Sequence, residues 1–420
     1  MILDTLKDVL SCPTLSDDQI NQIRLPETCS GLGLLSATQM APAAFIGSAR
    51  QAISELSSRE IFTTTLSGVF VNQELNPRLP WTTDLIQHWN QFALSIQDSQ
   101  SSTLPTSWSS DTFMALQPKR LQHCLFQQVV KASQMNLLRN SQPLDKIRIR
   151  SCSGVGSAAF LRAPYNTPGL KFTNEEFKIA LKLRIKAHLY LACPPRCLCG
   201  QNIDDFGSHF FKCRIGGEWE HRHNSLVQLF ASIIKSANLT VQKEVPLINL
   251  GPLASCSNNP NGRMDLSVTS SDSTSFLADV TVTHPAPSNT DHLSESAYLP
   301  QYFAKYAEER KIRKYRAASE QIGTRFIHVA IETYGTMGQQ GSKMLKELAG
   351  RYHQQYRNSN LNLESRANLI RIWRIKISAC LQRANARLII SKSNRVKTNL
   401  RQGSETIPPE PIVMDKWTIA

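Results

Sequence analysis

Polar and apolar residues alternate along two neighbouring segments of the chain, Arg263–Val268 and Phe276–Thr283. Both are rich in β-branched residues, and the polar stretch Thr269–Thr274 separates them, which predicts a β-hairpin. Because successive side chains of a strand point to opposite faces, Asp265 and Asp279 each lie on the polar face of their strand. Two carboxylates held close by paired strands form an oxygen site suited to Mg²⁺. Taken alone, however, the pattern fits a solvated hairpin with two surface aspartates better.

Hydrophobic periodicity predicts helices over much of the remaining chain, in residues 1–96 and 113–140 above all. After residue 170, a capping box at Thr173–Glu176 predicts the start of a helix that runs to about Leu191. The further predicted elements are the helix Glu220–Ala237, the strand Val241–Val245, the helix Ala297–Ser319, the strand Phe326–Glu332 and the helix Leu369–Ile390. At the start of the helix Glu220–Ala237, we expect capping or surface roles for His221 and His223, although His223 is a competing metal ligand.

Charge is distributed unevenly along the chain. Residues 301–400 contain 20 Lys/Arg against six Glu and no Asp, a net charge of +14, whereas the other 27 basic and 27 acidic residues cancel. A concentrated basic segment is typical of proteins that bind a phosphate backbone, and an anionic membrane surface is the weaker alternative. No apolar run approaches the ~18 residues of a membrane helix, and the N-terminus lacks a signal-peptide layout. We therefore expect a soluble intracellular protein.

Four cysteines lie between Cys193 and Cys213, a clustering that suits metal binding in a reducing compartment better than disulfides. Cys197, Cys199, His209 and Cys213 offer the thiolates and imidazole that tetrahedral Zn²⁺ prefers. The Cys-x-Cys pair is tighter than the usual Cys-x₂-Cys, so Cys193 is an alternative ligand. The competing interpretation is a set of scattered buried cysteines beside a surface histidine. We predict a structural zinc site on the four residues, because it would fix a short loop with little core of its own.

Short segments follow one another in a characteristic order over nearly the whole chain. They are Gly31–Leu35, Ala159–Pro164, Glu176–Arg184, the cluster from Cys197 to Cys213, Arg222-His-Asn, Glu244–Leu247, Arg263-Met-Asp-Leu, Ala278-Asp-Val-Thr-Val, Glu308-x₂-Lys311-x₃-Tyr315, Phe326–Gly335 and the basic helix Trp373–Ala386. No single segment is specific, and the helix face that carries Glu308, Lys311 and Tyr315 alternatively fits a solvated charged stripe. Together, their order and spacing resemble the C-terminal part of reverse-transcriptase proteins from non-LTR retroelements.

This resemblance implies an α-rich multidomain protein, with a zinc knuckle and a restriction-endonuclease-like (PD-(D/E)XK-type) α/β domain whose mixed sheet is flanked by helices. The expected divisions are a helical region similar to the segment after the polymerase palm (1–96), a Ser-rich linker (97–112), a helical connector (113–192), the zinc knuckle (193–215), the restriction-endonuclease-like domain (216–340), a basic helical C-terminal region (341–398) and a tail (399–420). The tail after Lys397 is Pro-rich and predicted to be disordered.

Carried over by motif, Asp265 and Asp279 would be the metal-binding carboxylates, with Glu244 as the preceding acidic residue and Lys311 as a further catalytic group. The 13 residues between the two aspartates suit the family pattern. The family usually has Lys two residues after the second aspartate, whereas this chain has Thr281 there. Either Lys311 or Lys314 of the next helix supplies the charge, or activity is lost.

The implied function is the nicking of DNA phosphodiesters with Mg²⁺ or Mn²⁺, in a chain that also binds Zn²⁺. DNA is the expected partner, with the element RNA and the rest of a reverse-transcriptase protein as further candidates, and the expected location is nuclear. The residues that we expect to contact the DNA backbone are Arg313, Lys314, Arg371, Arg374, Arg383 and Arg387.

The polymerase signature, an aromatic residue followed one residue later by two aspartates, does not occur in this sequence. The Asp-Asp pairs at 17–18 and 204–205 follow Leu15-Ser16 and Asn202-Ile203. We therefore expect no polymerase activity by that mechanism, and a fragment of a longer element protein or a truncated gene. A catalytically dead nucleic-acid-binding remnant is the alternative to a nuclease. A purely helical interaction scaffold explains neither the Cys/His cluster nor the hairpin.

Overall fold

A computed structural model describes most of the chain. The described residues are 2–57, 70–71, 74–76, 79–97, 107–189, 195–255, 261–270, 275–285, 290–355 and 364–401. Predictions for residues 98–106 of the linker, for Cys193 and for residues 402–420 of the tail concern positions outside this part. None of the described helices combines the length and the apolar character that crossing a membrane requires.

The described residues fall into two units, one formed by 1–15 with 142–420 and the other by 16–141. These units differ from the predicted divisions, because helices on both sides of the predicted linker 97–112 share one core in the smaller unit. The basic C-terminal helix likewise packs into the core that contains the sheet rather than forming a region of its own.

Helix α1 (Ile2–Leu10) belongs to the larger unit. The elements of the smaller unit are α2 (Asp17–Arg24), α3 (Ala37–Ser57), β1 (Phe70–Val71), β2 (Glu74–Leu75), α4 (Pro80–Ile96), α5 (Ser110–Ala115) and α6 (Leu121–Asn140). Trp89, Phe113 and Leu125 from the last three helices form its buried core. The small residues of α3 allow close packing on α6, since a Cβ on Gly47 would lie 2.8 Å from the Cβ of Gln122.

The larger unit contains a four-stranded mixed sheet and most of the helices. Its further elements are α7 (Pro143–Ser153), α8 (Asn174–Ile185), α9 (Ser208–Lys212), α10 (Glu218–Ser236), β3 (Thr240–Pro246), α11 (Pro252–Ser255), β4 (Arg263–Thr269), β5 (Phe276–Thr283), α12 (Thr290–Tyr298), α13 (Tyr302–Gln321), β6 (Arg325–Glu332), α14 (Gln339–Gln355) and α15 (Arg366–Arg401). The strand order is β3-β4-β5-β6, antiparallel except for the parallel β5–β6 pair. The predicted helix-rich fold with a mixed sheet is therefore confirmed, as is the β4–β5 hairpin.

The two faces of the sheet pack against different helices. On one face, α10, α14 and α15 cover apolar side chains of β4, β5 and β6, namely Leu266, Val268, Phe276, Ala278, Val280, Ile327, Val329 and Ile331. On the other face, Leu277 and Phe326 pack against Tyr315 of α13. Because side chains alternate along a strand, Asp279, Thr281 and His328 also lie on the α13 side. Polar groups of β5 and β6 are thus buried beneath a helix.

Three predicted helices differ from the structure by more than two residues at an end. The helix predicted over Ala297–Ser319 is divided into α12 and α13, because Pro300 disfavours helical backbone at the residue before it. Helix α8 opens with the predicted Thr173–Glu176 capping box but ends at Ile185, before Lys186 with a positive φ of 54°. The helix predicted over Leu369–Ile390 extends from Arg366 to Arg401.

Candidate functional site

Three side chains from three elements form a candidate metal-binding group on β3, β4 and α10. The ligand atoms of His223, Glu244 and Asp265 all lie within 4.8 Å of one another. His223 Nε2 lies 3.4 Å from Asp265 Oδ1. Helix α10 brings His223 to the site because its apolar face packs on the sheet. One imidazole and two carboxylates are a donor set that binds divalent cations.

Glu244 has an unusual backbone conformation for a residue within a strand. Its φ is 52°, in the left-handed region that side chains other than glycine rarely adopt. The flanking ladder pairs, Lys243 with Leu266 and Val245 with Met264, place it across from Asp265. Strained backbone of this kind costs about 1–3 kcal/mol and is concentrated at functional sites. The conformation therefore adds weight to Glu244 as a member of the metal-binding group.

Asp265 is fixed by the neighbouring strand. Its Oδ2 accepts a hydrogen bond of 2.7 Å from the backbone N–H of Val280 on β5, while its Oδ1 faces His223. The carboxylate is buried. A buried carboxylate held in this way has little freedom to reorient, which favours a preorganised ligand.

Asp279 lies in a second polar group beneath α13. Lys311 Nζ is 3.2 Å from its Oδ2 and 3.4 Å from its Oδ1, and His328 Nε2 is 3.2 Å from Oδ2. Burial alone would raise the pKa of Asp279, but the charge of Lys311 and the hydrogen bonds from His328 and Lys311 hold it well below its ordinary value. Burial would lower the pKa of Lys311, yet Asp279 raises it above its usual range. The structure thus places a buried ion pair at this position.

His328 and Thr281 complete the surroundings of Asp279. His328 Nε2 is 2.8 Å from Thr281 Oγ1, while its buried Nδ1 has no hydrogen-bond partner among the described residues. A proton on Nε2 would point to the Asp279 carboxylate or to Thr281. Thr281 stands where the resembling family has Lys, and Lys311 reaches the same carboxylate from α13.

The structure therefore groups the predicted catalytic residues differently from the sequence analysis. Glu244 and Asp265 join His223, whereas Asp279 joins Lys311. The two groups are neighbours, since the charge of Asp265 also contributes to the raised pKa of Lys311. The predicted pairing of Asp265 with Asp279 around one ion remains a prediction.

The predicted zinc ligands lie together in the loop that precedes α10. The ligand atoms of Cys197, Cys199, His209 and Cys213 are all within 4.8 Å of one another. Sγ of Cys197 and Sγ of Cys213 are 3.7 Å apart, and Cys199 Sγ lies 3.4 Å from His209 Nε2. These separations are near the ~3.8 Å that 2.3 Å sulfur–zinc bonds at tetrahedral angles require. The four residues fit a Cys₃His site.

The loop around this cluster is shaped by local hydrogen bonds. Asp204 accepts backbone N–H bonds from Phe206, Ser208 and His209 at 3.0, 3.0 and 2.7 Å, which begins the short helix α9. The backbone N–H of Cys197 donates a 2.8 Å hydrogen bond to the carbonyl of Gln201. This bond closes the turn that contains Cys197 and Cys199. The backbone thus holds His209 towards the cysteines.

The surroundings of the cluster favour the metal-binding form of His209 but oppose the thiolate form of Cys213. Burial, followed by the charge of Lys392, lowers the pKa of His209 and keeps its imidazole neutral. Burial raises the pKa of Cys213 to about 12 when no cation is bound. The buried ammonium of Lys392 donates to the backbone carbonyls of Cys213 and Phe210, at 2.5 and 3.1 Å. It would offset the negative charge that three thiolates bring to a divalent ion.

The predicted DNA-binding residues are in different surroundings. Arg313 and Lys314 are exposed on α13, and Arg371 is exposed on α15 with its Nε 2.8 Å from Asn368 Oδ1. The remaining three also lie on α15. Burial lowers the pKa of Arg374, which is half-buried. The other two, Arg383 and Arg387, pair with the buried carboxylate of Glu176 on α8, at 4.0 and 2.6 Å. We therefore expect the last two to hold helices together.

The face of α13 that carries Glu308, Lys311 and Tyr315 is not a solvated stripe. Glu308 and Tyr315 are buried, and Lys311 pairs with Asp279. Glu308 Oε1 accepts the N–H of Gln340 at 3.0 Å, so this carboxyl caps the start of α14. Burial raises the pKa of Glu308 to about 7, although N–H bonds from the first turn of α14 oppose the shift.

This raised pKa predicts a pH-dependent stability. The folded chain binds the Glu308 proton more tightly than the unfolded chain, so stability should fall as pH rises from about 4.5 to about 7. The change from this group is at most roughly 3 kcal/mol, at 1.36 kcal/mol per pKa unit. Urea unfolding across this range should show a flatter profile for Glu308→Gln than for the wild type. Equal slopes for the two proteins would contradict the assignment, and the exposed Glu309→Gln is the matched control.

Comparison with known proteins provides no family for this chain. No protein-family model matches the sequence, and no curated protein matches it. The similarity to retroelement proteins therefore rests on the order of short segments, and its functional implications are proposals.

The sequence analysis did not select two residues that the structure brings into the site. His223 was expected to cap α10 or to face solvent, with metal binding as the alternative, and the structure buries it against Asp265. The sequence signals for it were that alternative and its place in the Arg222-His-Asn segment. His328 occupies a strand of otherwise apolar residues, where a buried polar side chain indicates a partner on the neighbouring strand. In the parallel register it stands beside Asp279.

Proposed function

We propose that the larger unit is a restriction-endonuclease-like, metal-dependent DNA endonuclease, similar to the C-terminal region of non-LTR retroelement reverse-transcriptase proteins. The observation that carries this proposal is the convergence of His223, Glu244 and Asp265 beside the ion pair of Lys311 with Asp279. Carboxylates from adjacent strands with a lysine close to them supply groups that hydrolysis of a phosphodiester uses.

The two groups have separate roles in this proposal. A divalent cation on His223, Glu244 and Asp265 would supply an activated water and neutralise charge that develops on the phosphate. Lys311 offers a permanent positive charge to the same phosphate, because its pKa is raised by Asp279. Asp279 holds the Lys311 ammonium in place. Thr281 then does not need to be a lysine.

The donor set also indicates which ions support activity. Two carboxylates suit Mg²⁺ and Mn²⁺ alike, whereas an imidazole nitrogen favours a transition metal over Mg²⁺. We therefore expect nicking in Mn²⁺ at lower metal concentration than in Mg²⁺. The Cys₃His cluster is assigned a structural Zn²⁺, as in a zinc knuckle.

The proposal is tested by incubating the full chain with supercoiled plasmid in EDTA, Mg²⁺ and Mn²⁺. Conversion to the open circular form only when metal is present supports it. The alternative is a nucleic-acid-binding remnant without catalysis, which Thr281 at the usual lysine position favours. A protein that retains DNA binding but leaves the plasmid intact in both metals establishes that alternative.

Binding to duplex DNA should depend steeply on salt. Each neutralised phosphate releases counterions and contributes about −0.9 to the slope of log affinity against log salt concentration. Replacing exposed Arg313 and Lys314 with glutamine should make this slope shallower by nearly 2 and weaken binding to all sequences alike. Fluorescence anisotropy with two unrelated duplexes provides the measurement.

The matched control for these charges is Lys119→Gln, an exposed lysine of the smaller unit. An unchanged slope in the double variant would remove α13 from the DNA footprint. A loss confined to one of the two duplexes would point to base-specific contacts instead.

A further inference from the structure

Four residues of α13 follow one another at a spacing of four: Tyr302, Tyr306, Arg310 and Lys314. Residues four apart on a helix lie next to one another and form a continuous ridge. This ridge carries two aromatic rings followed by two cations. Tyr302, Tyr306 and Arg310 are partly exposed, and Lys314 is exposed. We call these four side chains the α13 ridge.

The aromatic end of the α13 ridge is held by the preceding helix. His292 Nδ1 of α12 lies 2.7 Å from the hydroxyl of Tyr302, which in turn donates to Glu295 Oε2 at 3.0 Å. The rings of Tyr302 and Tyr306 are parallel within 8°, with centroids 6.3 Å apart. The His292 ring is 5.1 Å from that of Tyr306. Rings fixed in this way lose little conformational freedom when a flat ligand stacks on them.

The cationic end of the α13 ridge reaches the candidate active site. The Nζ atoms of Lys314 and Lys311 lie 5.3 and 5.8 Å from the centroid of the same ring, that of Tyr315. Lys311 contacts Asp279. At 1.5 Å per residue, Tyr306 is about 12 Å from Lys314 along the helix axis, roughly the length of three to four nucleotides of one strand. Lys314 thus lies beside the candidate active site, and Tyr306 lies about three to four nucleotides away from it.

A ligand that matches this surface has flat rings and regularly spaced negative charges. Unpaired nucleotides have both, whereas the base faces of an intact duplex are stacked on one another and inaccessible. Of the acidic groups beside the ridge, Glu309 on the adjacent row pairs with Lys305 at 3.7 Å, and Glu295 accepts the hydrogen bond of Tyr302. We propose that the α13 ridge binds unpaired nucleotides of the DNA strand next to the cleaved phosphodiester, with a base stacked on Tyr306. The inference rests on the proposed nuclease function for its location, but binding itself does not require cleavage.

The test measures binding of the full chain to labelled oligodeoxythymidylate and to a duplex of equal length, in EDTA. Tyr306→Leu should weaken binding to the single strand by roughly 5- to 100-fold, the range for the loss of one base–aromatic stack. Binding to the duplex should change less than twofold. Because the substitution removes no cation, the salt dependence should be unaltered. Tyr306→Phe keeps the ring and should bind as the wild type does.

Tyr165→Leu is the matched control, since Tyr165 is 85% exposed in the same unit but lies outside α13. Wild-type affinity of Tyr306→Leu for the single strand would overturn the inference, as would equal losses for single strand and duplex. A loss in Tyr306→Phe as large as that in Tyr306→Leu would assign the effect to the hydroxyl and overturn it as well. Tighter binding of the matching RNA oligonucleotide would overturn the assignment to DNA. Absence of plasmid nicking would remove the nuclease but not the ridge.

Discussion

The Asp265→Asn protein should leave supercoiled plasmid uncut under conditions in which the wild-type chain nicks it. Asparagine keeps the oxygen that accepts the Val280 N–H but removes one charge from the group with His223 and Glu244. We expect the nicking rate to fall by more than about a hundredfold, because a single preorganised polar group at a reacting centre is already worth that much. Affinity for DNA should remain largely intact, since exposed cations contribute most of the binding in the ground state.

Asp279→Asn separates two roles for the second aspartate. If Asp279 is a metal ligand, this variant should need more Mn²⁺ to reach its maximal rate. If Asp279 positions Lys311, as we propose, the metal requirement should be unchanged. As pH rises into the alkaline range, the variant should instead lose activity at a lower pH than the wild type does. The reason is that Asp279 is the main group that raises the pKa of Lys311.

Lys311→Ala should cost about 2–3 kcal/mol in activation free energy, the scale of one preorganised donor. Asp4→Asn is the matched control for the aspartate substitutions, because its carboxylate is exposed and in the same unit. Wild-type nicking by Asp265→Asn would place the catalytic centre elsewhere in the protein.

The second large effect concerns the Cys₃His cluster. The purified chain should contain about one equivalent of zinc, and Cys213→Ser should lose it. Structural zinc contributes about 10–16 kcal/mol to folding in small zinc-finger peptides. Cys197 and Cys213 pack against Val396 at the end of α15, so loss of the metal should also loosen that helix end. Mass spectrometry for metal content and limited proteolysis with and without EDTA provide the measurements.

Two further expected results make the zinc prediction specific to the Cys₃His cluster. Cys124→Ser removes an exposed thiol from the smaller unit and should retain the metal. Zinc affinity should fall as pH decreases, because Cys213 must release its proton to bind. A folded, protease-resistant chain without zinc would contradict the assignment.

Local patterns were sufficient to predict several parts of the site. Alternation located Asp265 and Asp279 on the hairpin, and ligand spacing located the Cys/His cluster, whereas the choice of Lys311 came from the motif of the resembling family. Other features depend on contacts between distant segments that no local pattern records. Arg387 looked like a surface cation, but its partner Glu176 lies 211 residues away along the chain. His223 approaches Asp265 only because α10 packs across the sheet.

The parallel pairing of β5 with β6 has a consequence for the order in which the protein folds. Hairpin strands β4 and β5 are adjacent in sequence, so they can pair early through local contacts. Lys311 lies 32 residues beyond Asp279, and His328 lies 47 residues beyond Thr281. Lys311 and His328 reach their partners only after the connection through α12 and α13 has folded back and β6 has paired with β5. Closing this long connection costs more chain entropy than closing the hairpin does. During synthesis, the hairpin therefore emerges before the groups that neutralise its buried carboxylate, and the centre is completed only after β6 has joined the sheet.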